Sequence, residues 1–312
     1  RSTLMRSSAA SDVYKRQGVY NTNSGNVTIG TKDGTINKDI PTIKGKEYGI
    51  YQSPTATGKI YYYDGTIVGK MAIYGGVSEI EQNSEIIIEQ DSQNNEKATL
   101  REIETQYVAK IGETQYTSLM SAVNDIAENA QEGTNVEIIA DFDISEGVEI
   151  PENKNVIIDL AGHTIATYGK GGITNKGTLE IKDSSDKETG SINSQIGIGI
   201  SNEGNLTISK GTVDSNGYGI YNYNDGSVLI KGGLLKGKDY VIYNKDNKST
   251  INMTGGEINT DNGTGIYVNF GMANISEGKI TACRYGIFNE YGNINVTGGE
   301  IKSSNNLSLI HI

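Results

Sequence analysis

The chain has 312 residues, of which 27 are Lys or Arg and 38 are Asp or Glu, so its formal net charge is −11 at pH 7. Only 35% of the residues are hydrophobic, and no stretch approaches the roughly 18 consecutive apolar residues that a membrane helix needs. An acidic surface repels phosphates and acidic lipids, so the charge argues against nucleic acid and against an anionic membrane surface as partners. Without a long apolar stretch, we expect no membrane insertion in this fragment. The composition suits a repeat fold, in which few apolar residues are placed economically.

The two ends of the chain differ in pattern from everything between them. Residues 1–17, RSTLMRSSAASDVYKRQ, and residues 307–312, LSLIHI, resemble translated sequencing-adapter sequence. We therefore expect both segments to be artefacts foreign to the protein, and we exclude them from the fold prediction. On this expectation, 18–306 is a fragment of a longer protein.

The segment 18–90 contains a phrase that returns later in the chain. It appears as GVYNTNSGNVTIGTKDGTI at 18–36 and as GIYQSPTATGKIYYYDGTI at 49–67, with alternating apolar residues between turns rich in Gly, Asn and Asp. Period-two alternation predicts short strands with one buried face. We interpret 18–90 as the C-terminal coils of a first β-helix module and the polar stretch 91–107 as a connector.

Within 108–133 the period changes to that of an amphipathic helix. Thr117 or Ser118 can cap its N-terminus, and Gly133 follows its end. Its apolar face would consist of Leu119, Ala122, Val123, Ile126, Ala127 and Ala130. We predict that a strand and this helix, within 108–133, cap the open apolar end of a second module that extends to residue 306.

A repeat of about 22 residues occupies 134–306. The phrase Gly-Ile-x-Asn, a polar turn and then apolar-x-apolar-x-x-Gly-x-apolar recurs with steps of 21 to 23 residues between its last apolar positions. Each unit holds two or three strands that are too short to bury a face alone, so successive units must stack. The predicted fold class is all-β, a parallel β-helix with about eight coils in this module.

The repeated asparagines are predicted to stack in a structural ladder at a bend of the coil. They are Asn175, Asn202, Asn222, Asn244 and Asn289. Amide side chains that stack at about 4.8 Å can hydrogen-bond to one another. Val268 stands where the series requires Asn, so we expect the ladder to be interrupted there.

An aromatic residue precedes the repeated asparagine position in four consecutive coils. The four are Tyr221, Tyr243, Tyr267 and Phe288, and Tyr20 and Tyr51 are equivalent in the first module. Because the preceding Ile points inward, these rings point outward and form a candidate ligand-binding stripe for sugars. Alternatively, the rings stabilise adjacent strands as a ladder and bind nothing. Ser201 and Thr174 replace the ring in earlier coils, which confines any platform to the C-terminal coils.

The residues offer little for catalysis or metal binding. Outside the two terminal segments His163 is the only histidine, and we interpret it as a turn residue. Asp141 and Asp143 share a predicted strand face, as the paired acids of a hydrolase would, but alternate like solvent-facing residues. A cation could be held by Asp183, Asp186 and Glu188, but a solvated extra loop is the better explanation of these residues. We expect no cofactor.

Two stretches of the chain resemble a known family. The segment 109–165, AKIGETQYTSLMSAVNDIAENAQEGTNVEIIADFDISEGVEIPENKNVIIDLAGHTI, resembles the opening of right-handed, pectate-lyase-like β-helix modules in large surface proteins of gut Firmicutes. The segment 61–90, YYYDGTIVGKMAIYGGVSEIEQNSEIIIEQ, is similar to the ending of such a module. The resemblance implies a right-handed solenoid and a location outside the cell, at the bacterial surface. The family has no fixed catalytic motif to transfer to particular residues.

Three hypotheses of function remain. The first is a non-catalytic surface module, an adhesive rod that contacts host or bacterial glycans through the aromatic stripe. The second is a polysaccharide lyase or glycoside hydrolase of the same fold, which would require a carboxylate cluster on adjacent coils. The third is a structural spacer without a ligand.

Overall fold

The computed structural model describes residues 17–32, 34, 36, 41–168 and 172–304. The two segments predicted as adapter artefacts lie outside the described residues, apart from Gln17, as does the end of the predicted second module at 305–306. The chain divides into two compact units, Arg1–Thr105 and Gln106–Ile312. Each unit is described by itself.

The first unit is built mainly from parallel strands that return to the same three sheets. Its described strands are β1 (Gln17–Asn21), β2 (Val27–Ile29), β3 (Thr42–Lys44), β4 (Tyr48–Gln52), β5 (Ile60–Tyr62), β6 (Thr66–Gly69), β7 (Met71–Tyr74), β8 (Glu79–Ile80), β9 (Ser84–Gln90) and β10 (Glu96–Glu102). The sheet orders are β1-β4-β7, β2-β5-β8 and β3-β6-β10-β9. Pairing is parallel except that β10 runs antiparallel to both β6 and β9. The solenoid part of this unit therefore ends in an antiparallel hairpin.

The predicted connector, 91–107, is wrong for residues 96–102, which form strand β10 of the first unit. Ala98 and Leu100 are fully buried in the core of that unit. The run Ala-Thr-Leu is too short among charged neighbours to show a period, but its pairing with β6 covers a parallel edge that would otherwise be left open.

The second unit has one helix and 23 described strands. They are β11 (Ala109–Ile111), β12 (Thr114–Tyr116), α1 (Leu119–Asp125), β13 (Thr134–Ile138), β14 (Phe142–Ile144), β15 (Val148–Ile150), β16 (Asn155–Asp159), β17 (Thr164–Thr167), β18 (Ile173–Asn175), β19 (Thr178–Lys182), β20 (Ser191–Ser194), β21 (Ile198–Asn202), β22 (Asn205–Ile208), β23 (Thr212–Ser215), β24 (Tyr218–Asn222), β25 (Ser227–Ile230), β26 (Leu234–Lys236), β27 (Tyr240–Asn244), β28 (Thr250–Thr260), β29 (Thr264–Val268), β30 (Met272–Ala282), β31 (Tyr285–Asn289), β32 (Asn293–Val296) and β33 (Glu300–Ser303).

Successive coils of the second unit place one strand on each of three faces. The first face contains β13, β16, β19, β22, β25 and β32, the second contains β14, β17, β20, β23, β26 and β33, and the third contains β15, β18, β21, β24, β27, β29 and β31. The long strands β28 and β30 run through the corner between the first two faces. The described residues form seven complete coils and two strands of an eighth, and the prediction of an all-β parallel solenoid is confirmed.

The core consists of apolar residues that stack on their equivalents in the next coil. On the third face this column is Val148, Ile173, Ile200, Ile220, Ile242, Ile266 and Ile287, and all seven are buried. At the corner between the first two faces, Gly233 and Gly256 have φ values of +78° or slightly less, a left-handed conformation that disfavours a side chain. Stacked aliphatic residues of similar size thus fix the register of each coil on the next.

Helix α1 covers the open end of the first coil but is shorter than predicted. Its N-cap is Ser118, whose Oγ accepts a hydrogen bond from the Ser121 amide at 3.1 Å. The chain leaves the helix at Ile126, where Lys154 Nζ donates to the carbonyl oxygens of Asn124 and Ile126. Ala127, predicted on the apolar face, is exposed because it lies beyond this end. No helix among the described residues is long and apolar enough to cross a membrane.

Candidate ligand-binding surface

The third face of the second unit carries outward-pointing aromatic rings because its strands interrupt strict alternation. In β24, Gly219 and Ile220 are both buried, so Tyr218 and Tyr221 lie on the same outer side with ring centroids 5.9 Å apart. A Cβ at Gly219 would lie 2.7 Å from the carbonyl oxygen of Val241. This position therefore favours glycine, because without a side chain the backbone can lie close to the next coil.

The four aromatic residues predicted from the repeat form one continuous column. Tyr221 and Tyr243 have centroids 5.4 Å apart, Tyr243 and Tyr267 are 4.9 Å apart, and Tyr267 and Phe288 are 5.2 Å apart. The planes of successive rings differ by only 19°, 7° and 17°. Each ring therefore covers part of a face of its neighbour, and all four residues remain partly exposed.

A second aromatic column, missed by the sequence analysis, runs beside the first. It consists of Tyr218, Tyr240 and Tyr285, with Thr264 at the equivalent position of the intervening coil. Tyr240 lies 5.7 Å from Tyr243 within its own coil, and Tyr285 lies 5.2 Å from Phe288. The available signal was a Tyr three residues before three of the four rings of the first column. Strict alternation would have placed it on the opposite side of the strand. We call the two columns together the tyrosine face.

Polar groups at the rim of the tyrosine face fix some of its hydroxyl groups. The Tyr267 hydroxyl donates to the Glu290 carboxylate, and the Tyr223 hydroxyl donates to Glu203 Oε1 at 2.7 Å. Burial and this bond to Glu203 raise the pKa of Tyr223 to about 12, and burial with the bond to Glu290 raises the pKa of Tyr267 further. Lys245 Nζ lies 5.9 Å from the ring centre of Tyr221. Tyr223 and Tyr267 therefore remain protonated at neutral pH.

The asparagines beneath the tyrosine face form an amide ladder over four coils. Asn175 Nδ2 donates to Asn202 Oδ1 at 2.7 Å, Asn202 to Asn222 at 2.8 Å, and Asn222 to Asn244 at 2.7 Å. All four side chains are buried. The fifth predicted member, Asn289, lies beyond Val268 and instead donates to the Gly292 carbonyl at 3.0 Å, so it is outside the ladder.

The same face has no rings in its N-terminal coils. Glu149, Thr174 and Ser201 stand in the column that continues with Tyr221. Strands β15, β18 and β21 nevertheless pair in parallel and in register, and Asn175 and Asn202 are hydrogen-bonded there. Coil stacking on this face therefore does not require aromatic side chains.

The candidate cation site at Asp183, Asp186 and Glu188 is not assembled. The buried carboxylate of Asp183 accepts hydrogen bonds from the amides of Gly162 at 2.9 Å and Gly190 at 2.6 Å. Asp186 is exposed, and Glu188 forms an ion pair with Lys210 at 2.7 Å. Asp183 therefore organises its loop, as capping carboxylates do. Among the described residues, no group of three or more His, Cys, Asp or Glu side chains is placed to hold a metal ion.

The remaining catalytic candidates lie at the entry coil, distant along the solenoid from the rings. Asp141 Oδ1 accepts a hydrogen bond from the Thr164 amide at 2.8 Å and lies 3.2 Å from His163 Nδ1. The Thr164 amide is the main stabilising contact, which together with His163 outweighs burial and lowers the pKa of Asp141. Asp143 is exposed on β14, whereas Asp141 lies just before that strand, so the predicted pair does not share a strand. Asp141 thus joins two neighbouring turns of the solenoid.

Comparison with known proteins identifies no relative: no family model matches the chain, and searches of curated proteins and of solved structures each gave no significant match. Function must therefore be argued from the surface itself, because a solenoid fold hosts enzymes and non-enzymes alike.

Proposed function

We propose that the chain is a non-catalytic module of a bacterial cell-surface protein that binds glycans through the tyrosine face. The observation that carries this proposal is the difference between coils of one face. The coils with Glu149, Thr174 and Ser201 stack without rings, whereas the next four coils carry seven rings in two columns. Rings that the fold does not need are available for a ligand.

The chemistry of the tyrosine face suits a sugar. A pyranose presents apolar C–H groups and a rim of hydroxyl groups, and tyrosine offers an apolar ring with a hydroxyl at its edge. The columns extend over four coils, which is about 14 Å at a strand spacing of about 4.8 Å. A contiguous aromatic surface of this kind, bordered by polar groups, is typical of an interaction site.

The rim supplies hydrogen-bonding groups of both kinds. Glu203 and Glu290 accept from tyrosine hydroxyl groups, Asn224 donates to Glu203 at 2.8 Å, and Lys245 lies over Tyr221. These groups are already ordered, so a ligand that bonds to them does not have to fix mobile side chains. The cell-surface location rests on the resemblance of 109–165 to surface-protein modules.

A glycan array that includes mucin oligosaccharides and pectic fragments tests the proposal, provided that mass spectrometry checks each spot for cleavage. We expect binding without a change of mass, and weaker binding in Tyr221→Ala/Tyr243→Ala. A matched control is Asn252→Ala/Asn274→Ala, which removes an outward stacked pair on the first face, joined at 2.9 Å. Cleavage of a glycan would contradict the proposal and favour an enzyme. Absence of binding at every spot would favour a spacer.

A further inference from the structure

Three rings of the tyrosine face form a compact cluster. Tyr243 and Tyr267 are stacked at 4.9 Å with planes 7° apart. Tyr240 is turned by 66° from Tyr243 and by 60° from Tyr267, with centroid distances of 5.7 Å and 4.9 Å. The cluster therefore has two parallel rings and one turned ring.

The first unit contains the same arrangement. Tyr51 and Tyr74 are stacked at 4.8 Å with planes 2° apart. Tyr48 is turned by 63° from each of them, at 5.2 Å and 5.5 Å. Tyr20 extends the stack on the other side of Tyr51 at 5.1 Å, as Tyr221 does for Tyr243.

One local cause produces both clusters. In each unit a strand with the pattern Tyr-x-Ile-Tyr, β27 or β4, pairs with the strand of the next coil. That next strand keeps the second Tyr, but the residue opposite the first Tyr is not aromatic. That residue is Thr264 below Tyr240 and Met71 below Tyr48. Without an aromatic partner below it, the first ring of the pair turns and packs against the next ring of the other column.

The turned ring is the member best placed to stack on a sugar. Tyr267 has Tyr243 on one side and Phe288 on the other, so its faces are covered by its own column. Tyr240 and Tyr48 make only edge-on or tilted ring contacts, including that of Tyr240 with Tyr218 at 5.5 Å, so no ring of the described residues is stacked on either. Charges of both signs lie near each turned ring. Lys238 and Asp239 precede Tyr240 in the chain, and Glu47, which precedes Tyr48, forms an ion pair with Lys70 at 3.6 Å. Balanced charge favours an uncharged ligand over an acidic or a basic one.

We propose that the three-ring cluster is the glycan-binding unit, and that the first unit therefore carries a second site, at Tyr48, Tyr51 and Tyr74, for the same class of ligand, uncharged pyranose oligosaccharides. This inference rests on the proposed function. Two equivalent sites on one chain make its attachment to a glycan-coated surface bivalent, which strengthens attachment without any new contact.

Isothermal titration of the full chain with chitohexaose and with cellohexaose tests this proposal. We expect two equivalents of at least one hexaose to bind. Tyr48→Ala and Tyr240→Ala should each reduce the stoichiometry to one, and the double variant should bind none. Attachment to an immobilised polysaccharide of the same sugar should weaken by roughly 10- to 100-fold in each single variant, because avidity is lost.

Control variants separate binding from folding. Asn252→Ala/Asn274→Ala, which changes a stacked pair on the first face of the second unit, should keep two equivalents, and urea unfolding should show that each Ala variant is folded. One equivalent in the wild-type chain, unaffected by Tyr48→Ala, overturns the second site but leaves the proposed function standing. If neither hexaose binds, the inferred ligand class is wrong. If, in addition, no glycan on the array binds, the proposed function is wrong as well.

Discussion

The N-terminal and C-terminal coils of the second unit share a backbone but present different surfaces on the third face. In both regions the strands pair in parallel and asparagines bond across coils beneath the outer surface. The outward column changes from Glu149, Thr174 and Ser201 to a run of stacked rings. Buried residues therefore hold this solenoid together. The residues of its outer columns can differ from coil to coil without loss of strand pairing, so they can be suited to contact with other molecules.

The N-terminal coils are stabilised by contacts at their open end and in their long turns. Helix α1 covers their open end, and Lys154 joins the last carbonyl groups of that helix to the second coil. Asp159 and Asp183 bind backbone amides of the long turns, including Ser184 at 2.9 Å and Gly190 at 2.6 Å. Closure of the open end and satisfaction of loop amides thus stabilise these coils.

The largest expected effect comes from the ladder that both regions share. Asn222→Leu removes the Nδ2 group that donates to Asn244, Gly226 and Thr250, and it removes the shortest of the hydrogen bonds that Asn202 donates. Several buried polar groups would lose partners at about 1–3 kcal/mol each, so we expect a loss of at least about 3 kcal/mol of unfolding free energy. Urea unfolding followed by circular dichroism measures it. Asn289→Leu, at the same position but outside the ladder, should cost far less, and equal costs would refute a cooperative ladder.

The next effect is confined to the N-terminal coils. Lys154→Met removes the buried ammonium that bonds to the carbonyl groups of Asn124 and Ile126 and should cost about 2 kcal/mol of unfolding free energy. The exposed Lys187→Met should change little. Glycan binding should be the same in both variants, because the tyrosine face is untouched. A loss of binding in Lys154→Met alone would mean that the two regions are not independent.

Acid sensitivity should also come from the N-terminal loops. Burial opposes ionisation of Asp183, but bonds from Ser185, Gly190 and Gly162 outweigh it and lower its pKa from the ordinary value of 3.8. Its stabilising contribution is therefore present above pH 3.8 and is lost as the pH falls further, towards the lowered folded-state pKa. Between pH 5 and about pH 2.5, the urea midpoint should fall more steeply in the wild-type chain than in Asp183→Asn. Parallel curves would show that Asp183 contributes nothing to acid unfolding.

The smallest effect extends the aromatic column into the N-terminal coils. Ser201 pairs with Tyr221, so Ser201→Tyr should add one stacked ring and about 0.5 kcal/mol of stability. Ser201→Leu adds apolar area without a ring and serves as the control. Thermal unfolding compares the three chains. If Ser201→Tyr destabilises the protein by more than the control does, the outer position is not free to vary.

The repeat made the fold predictable, because short strands with period-two burial leave stacking as the only way to cover their apolar faces. The positions of Asn222 and Tyr221 followed from the same period. The second column did not, because Gly219 and Ile220 both turn inward and reverse the alternation before them. The early end of α1 and the role of Asp183 depend on contacts from distant turns, from Lys154 and Gly162, which carry no local signal.

The most direct test of the central claim is the glycan-array signal of Tyr221→Ala/Tyr243→Ala relative to the wild-type chain, at equal concentrations of folded protein. If the rings are surplus to the fold and form a binding surface, the variant remains folded and its signal falls to the level that the first unit's site at Tyr48 supports alone. A variant that remains folded and binds as strongly as the wild-type chain would contradict the account and leave the rings as a ladder alone.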